Sequence, residues 1–249
     1  MRNYARETKQ RVQFIKDLTA SSGAKGIVYG NSGGKDSALV GILCKMACDN
    51  TLGLIMPCGS KRNYAGDLND ANTIAQQYKI AVRIVDLSPA RQALKKALSN
   101  TAELTDSALN NIAPRLRMSA LYAVAASENR LVAGTGNRSE HYLGYFTKWG
   151  DGACDFNVIA DLTAGEVLEF LHHLGAPAFL FSKPPSAGLY DGQTDEEEIG
   201  VAYSSIDALL LTGKTSERDQ MIIERQHRAT EHKRHMPILY PGRKKLESK

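Results

Sequence analysis

No apolar run in this chain approaches the ~20 residues that a bilayer-spanning helix needs. Arg2, Arg6 and Arg11 open the sequence, but no apolar core follows them, so a secretory signal is not expected. Cysteine is scarce. Cys44, Cys48, Cys58 and Cys154 have neither CxxC spacing nor the density of a disulfide framework, which points to a reducing cytoplasm. A strong excess of one charge is also missing: 31 Lys and Arg against 27 Asp and Glu leave a net charge of +4 at pH 7. So mild an excess does not imply nucleic acid or an anionic membrane as a partner, and the basic tail "GRKK" reads as a short solvated end. Internal repeats and low-complexity tracts are absent.

What is present suffices for a substantial core. The chain has 249 residues, 43% of them hydrophobic, which suits one large domain. Strand and helix patterns alternate. An amphipathic helix over 3–20 precedes the apolar strand "GIVYG" (26–30) and a helix from Asp36 to Met46. "TLGLIMP" (51–57) reads as a second strand, Asp67–Tyr78 as a helix, and "IAVRIVDL" (80–87) as a third strand rich in β-branched residues. Ser88 is placed to cap a helix through Leu98. A helix over 112–128 leads to the strand "RLVAGTG" (130–136), with a fifth strand at Asn157–Ile159 and a helix from Thr163 to Leu174. Residues 181–193, rich in Pro, Gly and Ser, form a loop. In the helical C-terminal third, Thr194 with the acids Asp195–Glu198 reads as a helix start. This order predicts an α/β fold: a doubly wound parallel sheet of about five strands with helices on both faces. Ligands of such sheets bind at the carboxyl ends of the strands.

One loop lies at that edge: "GNSGGKDS" (30–37). Its glycines do not give G-x-G-x-x-G, and Gly34-Lys35 is followed by Asp36 where the Walker sequence needs Ser or Thr. What remains is S-G-G-x-D-S between a strand and a helix. Backbone amides of Gly30, Asn31, Ser32, Gly33, Gly34 and Lys35, with the hydroxyls of Ser32 and Ser37, can hold phosphate oxygens. Asp36 could simply cap the helix. As a carboxylate beside phosphates it calls for a cation, and Mg²⁺ is the natural one.

The S-G-G-x-D-S loop resembles that of the N-type ATP pyrophosphatases, whose fold is of the adenine-nucleotide alpha-hydrolase type. A longer stretch, "GTGNRSEHYLGYFTKWGDGACDFNVIADLTAGEV" (134–167), is similar to the region after the fourth strand of NAD synthetase. There G-T-x-x-x-x-E, G-Y/F-F-T-K-Y/W-G-D-G and a downstream Asp occur together. "RLRMSALYAVA" (115–125), "KPPSAGLYDGQTDEEEIGVAYSSID" (183–207) and "EHKRHMP" (231–237) resemble further family segments in the same order. The chain is thus identified as resembling the NAD synthetase family in its short form, over most of its length from residue 26.

The resemblance implies ATP-dependent amidation of deamido-NAD⁺ by ammonia. A carboxylate is a poor electrophile, and adenylation cures this: the nicotinate oxygen attacks the α-phosphorus, pyrophosphate leaves, and ammonia displaces AMP. It implies Mg²⁺ on Asp36 and Glu140, ATP on the loop, Thr135 and Ser186, and the dinucleotide on Arg115, Lys148, Asp155, His232 and Lys233. Arg117 is the expected structural neighbour of Arg115, with the two roles exchangeable. Asp36 and Ser37 belong to the catalytic loop, and Asp151 or Asp155 would take the proton of ammonium. Tyr145, Phe146 and Trp149 could stack on a ring or pack in the core; His232 and His235 read as solvated rather than metal-bound. A homodimer with a site built across its interface is implied; if the loop 181–193 closes as a lid, it would serve to keep water from the acyl-adenylate. Residues 1–249 are expected to be one synthetase domain with no glutaminase domain, so free ammonia is the expected nitrogen source.

One residue departs from the family pattern. Ala164 stands where a lysine reaching the ATP phosphates is usual, and Lys35 or Lys183 could stand in. The rivals are another ATP pyrophosphatase of the tRNA-thiolating type and a non-catalytic nucleotide-binding relative.

Overall fold

A computed structural model describes residues 2–59, 66–183 and 194–240. Four parallel strands form its sheet in the order β3-β2-β1-β4: β1 Gly26–Gly30, β2 Thr51–Ile55, β3 Ala81–Ile84 and β4 Arg130–Ala133. In the register, Ile27 lies opposite both Thr51 and Leu131. The helices are α1 Tyr4–Ser22, α2 Lys35–Ala47, α3 Gly66–Gln77, α4 Ser88–Leu98, α5 Asp106–Asn110 and α6 Ile112–Glu128. After β4 come α7 Arg138–Leu143, α8 Ala164–His173, α9 Phe179–Ser182, α10 Asp195–Ile199, α11 Tyr203–Thr212 and α12 Glu217–Ala229. None of the described helices is long and apolar enough to cross a membrane.

Alternation along β1 divides the core. Ile27 and Tyr29 point to one face, where Ile15 of α1, Leu39 and Leu43 of α2 and Phe170 of α8 pack against them. Val28 points to the other, against Leu52, Leu54, Val132 and the α6 residues Ala113 and Ala125. Helices therefore cover both faces, as a parallel sheet requires. A smaller cluster of Leu143, Tyr203, Ile206 and Ile223 joins α7 to the C-terminal helices and sets them beside the strand ends.

The central elements form where their patterns place them, and two local features differ. The expected fifth strand at Asn157–Ile159 is reduced to one parallel bridge, Ala133 to Phe156. The cause is local: the Asn157 side chain donates to Gly136 O (2.8 Å) and accepts from Ile159 N–H (3.0 Å), which turns the chain out of extended pairing. Ser88 does not cap α4 but begins it. Leu87 occupies the cap position, and Asp86 Oδ1 accepts the Ser88 N–H at 2.9 Å. Thr194 takes the cap position of α10 as expected, without a side-chain bond to the helix.

The amino terminus is tied to α8. Arg2 Nε meets Glu166 Oε1 at 2.7 Å, and Arg11 meets Asp161 Oδ1 at 2.7 Å. These pairs fix the segment that carries the chain from β4 into α8.

Candidate active site

The loop after β1 is held from below. Asn31, 2% exposed, donates from Nδ2 to Ala71 O at 3.1 Å and accepts the Gly33 N–H at 3.3 Å. Gly33 has φ +73°, and a Cβ there would lie 2.6 Å from Asp67 O and 2.9 Å from Ala71 N, so only glycine fits against α3. Ser37 Oγ lies 3.1 Å from Ser32 Oγ and donates to Gly34 O at 3.0 Å. Gly34 is the N-cap of α2 and supplies no side-chain acceptor, so the helix start is open to an anion.

Asp36 and Glu140 come together through a residue that the motif reading passed over. Asn137 Nδ2 donates to Asp36 Oδ1 at 3.0 Å. The same side chain accepts the Glu140 N–H at 3.0 Å, while Glu140 Oε2 accepts the Asn137 N–H at 2.9 Å. This is a capping box at the start of α7, and N-R-S-E at 137–140 displays it in the sequence. Burial, then the charge of Asp36, raises the Glu140 pKa well above its ordinary 4.5. Lys35 Nζ lies 2.7 Å from Asp36 Oδ2. Burial works against its charge, but Asp36, Glu140 and Asp195 outweigh that and raise its pKa. Behind it, Tyr145 Oη donates to Asp195 Oδ1 at 3.2 Å, and Tyr203 Oη to Asp195 Oδ2 at 3.4 Å.

Two half-buried carboxylates on one wall of a phosphate loop form an oxygen donor set suited to Mg²⁺, which commonly takes one or two carboxylates and completes its shell with phosphate and water. Among the described residues there is no group of three or more acids, histidines or cysteines able to hold a metal without such help.

The Glu140 shift has a measurable consequence. The folded ion-free protein holds that proton more tightly than the unfolded chain, so Glu140 favours the fold below pH 4.5 and this contribution is lost as pH rises through its folded pKa. Glu140→Gln, which keeps the cap, should therefore melt higher than wild type at pH 7 without metal, by roughly 2–4 °C. The gap should close below pH 4.5, whereas a variant melting lower than wild type at pH 7 would refute the account.

The strand ends and C-terminal helices enclose a cavity of about 980 Å³. The loop residues Gly30, Asn31, Ser32, Gly34, Lys35 and Ser37 line one end, with Asp36, Thr135 and Glu140. Asp151, Arg117 and Lys233 line the other. Gly33 serves the loop from behind. Asp151 accepts the Thr147 N–H at 3.0 Å; burial raises its pKa, against the pull of backbone donors, Arg117 and Lys233. Arg117 is half-buried and donates from Nε to Met56 O at 3.1 Å, and desolvation lowers its pKa. Lys233 Nζ donates to Gly144 O and Phe146 O, both at 2.8 Å, and burial lowers its pKa as well.

The other expected substrate residues lie outside this wall. Asp155 is tied into the sheet: its Oδ2 accepts the Val132 N–H at 2.8 Å and its Oδ1 the Tyr122 hydroxyl at 3.2 Å. Arg115 Nη2 donates to Lys148 O at 3.5 Å, and Lys148 Nζ donates to His232 O and, at 2.9 Å, to His235 O. Arg115, Lys148 and His232 thus form a rim group beside an apolar groove between α4 and α6, which includes Leu94, Leu98 and Leu116. Ser186 and residues 184–193 of the expected lid lie outside the described residues. Phe146 stacks on His141 with ring centres 5.5 Å apart, and Lys148 lies over Trp149 at 5.5 Å. Neither His141 nor the inward place of Arg117 has a sequence signal beyond the motif around it.

Ala164 starts α8. It is buried, and its N–H donates to Ser139 Oγ at 3.2 Å. Lys183 is held by Asp67 at 2.9 Å and Asp70 at 2.6 Å.

The family described as NAD synthase matches residues 7–240. The NH(3)-dependent NAD(+) synthetase of Carboxydothermus hydrogenoformans is 44% identical, over 94% of this chain and 97% of that protein. A structure described as NMN synthetase from Francisella tularensis superposes with a TM-score of 0.92 at 33% identity, covering 97% of this chain and 100% of that one. The NH3-dependent NAD synthetase of Campylobacter jejuni gives 0.78 at 30% identity, over 96% and 100%. A family match over residues 7–240 and 44% identity along nearly the whole of a relative agree: the chain belongs to the NAD synthase family.

Proposed function

We propose that the chain forms NAD⁺ from deamido-NAD⁺, ATP and ammonia. The observation that carries this reading is the cavity itself, which is lined by a phosphate loop, two metal-suited acids and the carboxylate of Asp151. The loop amides and the Ser32 and Ser37 hydroxyls bind the triphosphate and stabilise the departing pyrophosphate. Asp36 and Glu140 would hold Mg²⁺, which when bound would neutralise charge on the phosphates. Fixing nicotinate and ATP in one enclosed site replaces a bimolecular encounter by a positioned attack. Ammonium then loses its proton to Asp151, and ammonia displaces AMP from the acyl-adenylate. Asp151 suits this task better than Asp155, whose two oxygens are already engaged by Tyr122 and Val132.

The same reading includes a homodimer. Arg115, Lys148 and His232 stand apart from the cavity but next to the apolar groove of α4 and α6, so a second copy on that groove would receive them. The match along 97% of the Carboxydothermus relative supports one synthetase domain fed by free ammonia.

Purified protein with ATP, Mg²⁺, deamido-NAD⁺ and ammonium should yield NAD⁺ and AMP in equal amounts, with none when glutamine replaces ammonium. It should sediment as a dimer. Absence of NAD⁺ would defeat the catalytic reading, and a monomer at working concentration the dimeric one. A second acceptor is favoured by the TM-score of 0.92 to the Francisella protein, whose name places the amide on a mononucleotide. Competition between deamido-NAD⁺ and nicotinate mononucleotide decides between them by the ratio of kcat/KM. A tRNA-thiolating function and a non-catalytic role have no corresponding support in these matches.

A further inference from the structure

Lys35 occupies an unfavourable position unless something compensates it. It is the first residue of α2, where the helix dipole opposes a positive charge. Its side chain is only 11% exposed, and burial adds to the cost. The compensation is a ring of acids: Asp36 Oδ2 at 2.7 Å, with Glu140 and Asp195 close enough to act on it. The Tyr203 ring centre lies 5.5 Å from its Nζ and closes another side.

We propose that Lys35 is a tethered counter-ion for the Asp36–Glu140 pair in the ion-free protein, and that it transfers to the triphosphate of ATP once a divalent ion engages both carboxylates. The inference rests on the proposed ATP-dependent function and adds a residue-level exchange to it. Asp36 holds the ammonium directly at 2.7 Å, with Glu140 and Asp195 near enough to act on it. A divalent ion engaging the Asp36 and Glu140 oxygens would displace the ammonium from Asp36 and leave it free for a new anion. Lys35 belongs to the loop that lines the cavity, so the phosphates bind within its surroundings. Lys183 lines the same cavity but differs in its partners, Asp67 and Asp70 on α3, neither of which belongs to the acid pair assigned to the metal.

Such an exchange gives opposite effects on two affinities. Isothermal titration of MgCl₂ alone, and of ATP at saturating Mg²⁺, would be run on wild type, Lys35→Gln and Lys35→Arg. Removing the competing ammonium should let Lys35→Gln bind Mg²⁺ alone about tenfold more tightly, while its ATP affinity falls about tenfold or more. Lys35→Arg keeps the charge and should stay within about threefold of wild type in both. Circular dichroism melts verify folding. If Lys35→Gln does not fold, Lys35→Arg still decides: wild-type-like weak Mg²⁺ binding supports the exchange, and tighter binding overturns it. Two Lys35→Gln affinities that move together, or that both stay unchanged, overturn it too. Wild-type NAD⁺ formation is assayed separately. If wild type makes NAD⁺ and the opposite shifts are missing, only this inference falls; if wild type binds no ATP, both it and the proposed function fall.

Discussion

Asp36→Asn is expected to lower NAD⁺ formation by about 10²–10³-fold, the scale for losing a preorganised electrostatic group at a reacting phosphate. The side chain is isosteric, so the loop and α2 should persist. What changes is the bonding. Asp36 accepts from Asn137 Nδ2 through one oxygen and from Lys35 Nζ through the other. An amide can accept on one side only, and its NH₂ must face one of those two donors. The site also loses a hard anionic ligand, for which neutral oxygen is a weak substitute toward Mg²⁺. Product analysis under saturating ATP and ammonium checks this, with melting curves to verify the fold. Activity within tenfold of wild type would remove Asp36 from the role assigned to it.

Asp151→Asn should be comparably severe but should act on the nitrogen half of the reaction. Loss of a positioned general base typically costs about 10²–10⁴-fold. Burial raises the Asp151 pKa above 3.8, and this brings the carboxylate closer to the proton affinity its task requires. Its sign fixes a pH effect: as pH falls through that raised value the carboxylate becomes protonated, and wild-type turnover at constant free ammonia should decline. In Asp151→Asn that acid limb should be missing. Formation of the acyl-adenylate needs no proton acceptor, so pyrophosphate release in a single turnover without ammonium should survive. An acid limb that persists in the variant, or pyrophosphate release lost together with amidation, would contradict the assignment.

Much of this was legible in the sequence, for reasons that differ by residue. Strands β1 and β2 declared themselves as short buried apolar runs bounded by turns, whereas β3, exposed at the sheet edge, showed through its β-branched residues. The loop was legible because Gly33 and the serines sit between such a strand and a helix. The Asn157–Ile159 segment misled because its apolar residues pack in the core while Asn157 turns the backbone. The site was partly legible. Asp36, Thr135 and Glu140 line the cavity as the motif implied, but the separation of Lys233 from Arg115, Lys148 and His232 depends on how α6 and the chain after α12 approach each other. Two arginines one residue apart, Arg115 and Arg117, leave α6 about 200° from each other. Nothing in their spacing says which one meets the cavity.

The bond between Asn137 and Asp36 spans 101 positions of chain. A nascent polypeptide that has emerged only as far as β4 already carries the complete phosphate loop, yet it has neither Asn137 nor Glu140. Translation must therefore pass all four strands of the described sheet before the acid pair can exist at all. If the proposed nucleotide binding needs the acid pair, it and the stabilisation by mass action that comes with it are withheld from products stalled before Glu140, so ligand retention in a cell extract would report chains that have passed that point rather than total synthesis.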